Sequence, residues 1–128
     1  MTYLLDTHAL IWAADDDDRL GAKARPVVVD DTSTLAVSVA SAWELSIKAG
    51  SGRLRLAPNV VNWFAQATRI GRIQVLPVEL DHLADLESLP RHHGDLFDRM
   101  IICQARARGL TILTCERAFG DYDVQTLW

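Results

Sequence analysis

Acidic residues that close an apolar run, or open one, are the part of this chain best placed to do chemistry. Asp6 directly follows Tyr3-Leu4-Leu5, Glu44 lies in Ser41-Ala42-Trp43-Glu44, and Glu116 comes shortly after Thr111-Ile112-Leu113. Asp95 and Asp98 stand three residues apart in His93-Gly94-Asp95-Leu96-Phe97-Asp98-Arg99, at the head of the apolar run from Phe97 to Ala107. Carboxylates gathered without compensation repel one another and become hard to ionise. A cation removes that penalty, and an all-oxygen ligand set selects a hard ion such as Mg2+ or Mn2+. No His/Cys set has the spacing of a zinc site. Acid-bound Mg2+ keeps waters, one of which can attack a phosphodiester while the ion stabilises the charge on pentavalent phosphorus. Two ions roughly 4 Å apart would clamp both the attacking and the leaving oxygens. Hydrolysis of a nucleic-acid backbone is the reaction this chemistry points to.

Each acid also has a structural explanation. Ser41-x-x-Glu44 has the form of a capping box, in which Glu44 does no more than satisfy a backbone donor. Glu44 and Lys48 stand at i,i+4 and can form an ordinary surface pair. Asp95 and Asp98 read equally well as an N-cap acid and a first-turn acid stabilised by the helix dipole. Asp6 is the exception, because an acid directly after an apolar strand is poorly explained by capping alone. His8, His92 and His93 are available either as bases or as exposed loop residues.

Bringing these acids together needs strands and helices in a particular order. Tyr3–Leu5, Leu35–Val39, Ile73–Val78 and Thr111–Leu113 are short apolar strands, and Val124–Leu127 is a candidate for one more. Helices are expected over residues 9–14, over 21–29 with Pro26 leaving its start open, and over 41–49 up to Gly50-Ser51-Gly52. Others are expected over 60–70, with Val60, Trp63, Phe64 and Ala67 on one face, over 81–89, and over 97–108 up to Gly109. The 60–70 face reads as core or as a partner groove. Asp15 to Asp18 read as a solvated turn, since like charges repel and the glycine and distal glutamate of a calcium loop are missing. Alternating strands and helices predict an α/β fold with a central, mainly parallel sheet between two helical layers. Ligands of such sheets bind outside the carboxyl ends of the strands. Asp6 and Glu116 follow strands there, and Glu44 and Asp98 are expected in the first turns of helices whose N-termini face the same edge.

Composition narrows the function classes. The 128 residues are 49% hydrophobic, so one domain over 1–128 with a packed core is expected. No apolar run reaches the roughly 18 residues of a membrane span, and no export signal is visible. Two cysteines far apart give no disulfide framework and suit a reducing cytoplasm. The net charge of −4 argues against a protein that coats nucleic acid generally, although a local basic surface can coexist with it.

Together these residues resemble the PIN-domain ribonucleases, and within them the VapC-type toxins of toxin–antitoxin pairs. Tyr3-Leu4-Leu5-Asp6-Thr7-His8 is similar to the family's opening, and Ser41 to Lys48 followed by Gly52-Arg53-Leu54 to its second motif. Asp95-Leu96-Phe97-Asp98-Arg99 with Gln104-Ala105 resembles its D-P-F-D-R motif, and Leu113-Thr114-Cys115-Glu116 its terminal T-x-D. The resemblance implies a three-layer α/β/α sandwich in which Asp6, Glu44 and Asp98 hold Mg2+ or Mn2+. It implies Glu116 as a fourth catalytic acid, Asp95 as an auxiliary acid, and Arg99 as a phosphate contact or partner of a nearby acid. It further implies cleavage of structured RNA such as tRNA or rRNA, a homodimer, and inhibition by a cognate VapB-like antitoxin. Two positions depart from the pattern: Leu96 stands in place of a proline, and Glu116, with its extra methylene, in place of an aspartate.

Lys48, Arg53 and Arg99 are the main candidates for RNA contact, with Arg55, Arg69 and Arg72 as further basic residues. The other class of function open to this sequence is a catalytically silent PIN-like module that binds RNA or a protein. A receiver-like phosphoacceptor fits the sheet but lacks paired acids after the first strand and a lysine after the last.

Overall fold

Strand side chains alternate between two apolar layers, and this alternation explains the architecture. The computed structural model describes residues 1–128. Its strands are β1 (Thr2–Leu5), β2 (Thr34–Ser38), β3 (Ile73–Leu76), β4 (Thr111–Leu113) and β5 (Gln125–Leu127). All pair in parallel, in the order β3-β2-β1-β4-β5. Leu4, Ala36, Leu76 and Ile112 enter one buried cluster with Met100, Ile101 and Phe119. Their strand neighbours Leu5, Leu35, Val37 and Leu113 enter the other, with Leu10, Leu45, Val60 and Phe64. A sheet apolar on both faces must be covered on both. The first cluster is closed by α5 (Leu80–Ser88) and α6 (Leu96–Arg108), the second by α1 (Thr7–Ala14), α2 (Ala24–Val29) and α4 (Val60–Ile70). Helix α3 (Val39–Gly50) sends Ala40 into one and Leu45 into the other. The result is the expected α/β/α sandwich.

Topology decides where a site can form. From β1 the chain steps to β2 and β3 on one side, then returns to β4 and β5 on the other. The strand order reverses between β1 and β4, and at such a switch point a crevice opens beyond the carboxyl ends. Asp6 follows β1 at this point, and its N–H donates to the Leu113 carbonyl at 3.1 Å.

Several boundaries differ from the sequence expectation. The second strand ends at Ser38, whose Oγ accepts from the Ala40 N–H at 3.0 Å and makes Val39 the first helical residue. Helix α2 begins at Ala24, which places Pro26 in the first turn, where a missing N–H costs little. The third strand stops at Leu76, and a short 3-10 helix over Arg117–Asp121, unexpected from the sequence, buries Phe119 completely. The 60–70 helix has the expected bounds. Phe64 is core on its apolar face, while Trp63 is half-buried. Gly109 ends α6 in the left-handed region at φ 66°, which glycine adopts without a Cβ penalty. No helix is long and apolar enough to cross a membrane.

Candidate active site at the carboxyl edge of the sheet

Asp6 is the N-cap of α1: its Oδ1 accepts from the Ala9 N–H at 2.8 Å. Capping is only half of its environment. Its second oxygen accepts from the Thr114 hydroxyl at 2.5 Å, and the residue is 3% exposed. Burial pushes the carboxyl above its usual range, against the hydrogen bonds from Thr114 and Ala9. Thr114 follows β4, so one hydrogen bond ties the two strands that flank the switch point. Its Oγ1 also accepts from the Glu116 N–H at 3.0 Å, fixing the turn that carries Glu116. The Glu116 side chain is exposed and caps nothing.

Glu44 overturns the capping-box reading. Helix α3 starts two residues before Ser41, so Glu44 sits in its second turn, well past the unsatisfied N–H groups. The residue is 6% exposed. Thr7 Oγ1 lies 2.7 Å from Glu44 Oε1 and 3.0 Å from Ser41 Oγ. With one proton, Thr7 donates to the carboxylate and accepts from Ser41. The other Glu44 oxygen takes Lys48 Nζ at 2.7 Å. The i,i+4 pair exists, but its acid is buried rather than on the surface.

Asp95 is the N-cap of α6, accepting from the Phe97 and Asp98 N–H groups at 3.0 and 2.9 Å. Asp98, in the first turn, has no capping role. Its carboxyl is pushed up to about 7 by burial and then by the charges of Asp95, Asp6, Glu44 and Glu116. The acids singled out in the sequence therefore share one field, at the edge where they were expected to meet. His93 Nε2 lies 3.4 Å from Asp98 Oδ2, and His93 Nδ1 lies 2.8 Å from the Tyr122 hydroxyl. His8 is exposed and stacks on Trp12, and His92 meets Tyr122 edge-on.

The basic residues divide sharply. Arg99 corrects its expected role as a phosphate contact or partner of an acid. It is 5% exposed and donates to the carbonyls of Pro90 and Leu89 at 2.8 and 3.2 Å and to Tyr122 Oη at 3.0 Å. A guanidinium this buried and turned onto three internal acceptors is not presented to RNA. Arg53 is exposed and bonded only to Ser51 Oγ, while Lys48 is half-buried beside Glu44. Arg72 directly precedes β3 and Arg69 lies in the last turn of α4, so both lie at the amino edge of a parallel sheet, away from the acids.

Thr7, Ser41, Thr114, His93 and Tyr122 were not singled out in the sequence as acting on the acids. Thr7, Ser41 and Thr114 sit inside the motif stretches, which is the only sequence signal they give. As the side chains stand, no three Asp, Glu, His or Cys groups converge to hold a metal ion. The donor set nonetheless fits a hard divalent cation: it is oxygen-only, partly buried, and paired with a single Lys or Arg, Lys48.

Solved structures share this fold. The fold is similar to that of VapBC2 from Rickettsia felis bound to a DNA fragment from their promoter, with a TM-score of 0.71 and 15% identity over 99% of this chain and 98% of that one. VapBC-1 from nontypeable Haemophilus influenzae gives 0.66 at 20% identity, over 99% and 97%. FitAcB from Neisseria gonorrhoeae gives 0.60 at 17%, over 98% and 96%. Identities this low speak for the fold alone. No curated protein matches the sequence. The PIN domain family does match it, over residues 3–125, a span that includes every acid from Asp6 to Glu116. The chain belongs to the PIN-domain family.

Proposed function

We propose that this chain is the VapC-type toxin of a toxin–antitoxin pair, a metal-dependent endoribonuclease of one domain that cleaves structured RNA, tRNA or rRNA, in the cytoplasm. The observation that carries this reading is the gathering of Asp6, Glu44, Asp98 and Glu116 at the switch point of a PIN fold, where burial and then the neighbouring acids push Asp98 up to about 7. Asp6, Glu44 and Asp98 are the proposed ligands of Mg2+ or Mn2+, with Glu116 as the fourth acid. When bound, the ion would supply Lewis acidity toward the scissile phosphodiester and a more acidic water. The chain's own residues prepare for it. Thr114 and the Ala9 N–H fix Asp6, Thr7 fixes Glu44, and Asp95 caps the helix that presents Asp98. Arg53 and Lys48 remain as candidates for phosphate contact.

Solved structures of similar fold include VapBC and FitAB assemblies, which supports a cognate VapB-like antitoxin as partner. A homodimer is supported by the apolar groove along which Trp43, Leu83 and Leu96 are exposed. Purified protein incubated with RNA is expected to cleave in Mg2+, to stop in EDTA, and to lose cleavage and growth arrest with Asp6→Asn. Full cleavage by Asp6→Asn would remove the assignment. RNA or protein binding without metal-stimulated cleavage would favour a silent module instead.

A further inference from the structure

The Tyr122 hydroxyl receives more donors than one phenol ordinarily meets. Arg99 Nη1 donates to Tyr122 Oη at 3.0 Å, and the His93 backbone N–H donates to it at 3.2 Å. Those two bonds occupy both lone pairs of the oxygen. Its one proton is then left for the remaining partner, His93 Nδ1, at 2.8 Å. A proton on Nδ1 would face an oxygen with no free lone pair, so the neutral imidazole carries its proton on Nε2. Nε2 is the atom aimed at Asp98 Oδ2, at 3.4 Å. Donors chained in this way polarise one another, and the chain begins at a buried guanidinium with no acidic partner.

From this geometry we infer that Arg99, Tyr122 and His93 form a hydrogen-bond relay that holds one oxygen of Asp98 and leaves the other free for a cation. His93 is a positioning residue in this scheme. Its Nε2 is a donor rather than a metal ligand or a base, and its tautomer is set by a residue 29 positions away. The relay accounts for Arg99, whose burial removes it from the RNA surface. It also gives Asp98 the kind of outside partner that Thr114 gives Asp6 and Thr7 gives Glu44. The inference rests on the metal-binding reading for its purpose, but the relay itself is present without any ion.

The test begins on metal-free protein, with the ring nitrogens of His93 read by long-range 15N–1H correlation NMR. The expected pattern is the Nε2–H tautomer, shifting toward a mixture or toward Nδ1–H in Tyr122→Phe. An Nδ1–H tautomer in the unaltered protein would overturn the relay without touching the nuclease proposal. Mn2+ binding by calorimetry then tests its purpose. His93→Leu is expected to weaken binding by about 10-fold or more, and His93→Gln, which keeps an N–H on a side chain of similar reach, to recover most of that loss. Equal Mn2+ affinity in His93→Leu and the unaltered protein would overturn the positioning role. No Mn2+ binding by the unaltered protein would instead sink the metal reading, while the tautomer still decides the relay.

Discussion

In the turn after α1, Asp17 accepts from Arg19 Nε, Nη2 and backbone N–H at 3.0, 2.8 and 2.9 Å, and Asp16 pairs with Arg25. At the carboxyl edge of the sheet, Asp98 has four acids acting on it and only the loose contact with His93. The consequences run in opposite directions. The hydrogen bonds from Arg19 pull the Asp17 carboxyl down to about 2, whereas burial and like charge push Asp98 up to about 7. Density of acids is thus no guide to a site. The turn pairs Asp16 and Asp17 with arginines of its own surroundings, and the sheet edge keeps a deficit of positive charge.

The largest expected separation between the two regions is in catalysis. Asp6→Asn or Asp98→Asn should lower RNA cleavage by more than the roughly 100-fold that losing an orienting partner can cost. Asp16→Asn should leave it unchanged, as initial rates on one RNA substrate would show. A comparable loss from Asp16→Asn would erase the distinction.

Stability should separate the regions next, with opposite signs. Folding raises the Asp98 carboxyl from 3.8 to about 7, so across that interval the folded protein holds a proton that the unfolded chain releases. On this group's account, the metal-free protein loses stability as the pH rises through that window. Asp98→Asn should therefore stabilise the EDTA-treated protein at pH 8, by on the order of 2–4 kcal/mol at about 1.4 kcal/mol per unit. Asp17 behaves in reverse: its contribution is present above pH 3.8 and is lost as the pH falls through about 2. Urea melts at several pH values, with and without Mg2+, read both signs.

A smaller effect is expected from the residues that aim the acids. Thr114→Val removes the hydroxyl that holds Asp6 and should slow cleavage by about 10- to 100-fold while leaving the far-ultraviolet spectrum unchanged. Smallest of all, Asp18→Ala in the turn should change stability by no more than about 0.5 kcal/mol, measured by the same urea melts.

How much of this was legible in the sequence depends on how local each signal is. Asp6 after an apolar strand, the bounds of the 60–70 helix and the stop at Gly109 each follow from a few adjacent residues, and the structure has them in place. Glu44 was legible as an acid but not in its surroundings. Ser41-x-x-Glu44 satisfies the capping-box pattern as written, and β-branched Val39 reads as strand. Only the hydrogen bond from Ala40 to Ser38 moves the helix start upstream. Arg99 was misplaced because its acceptors are two backbone carbonyls and a phenol 23 positions away. The same distance problem hides Thr114, which reaches Asp6 across 108 positions of chain. Such contacts depend on strand order, and strand order is not written in any one stretch.

The claim that joins these results is that the sheet edge is short of positive charge until a cation arrives. Carbon-detected NMR of the Asp98 side-chain carboxyl, titrated with pH in EDTA and again in Mg2+, tests it most directly. The expected result is a midpoint near 7 in EDTA that falls below the ordinary aspartate range when Mg2+ is present. An ordinary midpoint in EDTA, or one that Mg2+ does not move, would contradict it.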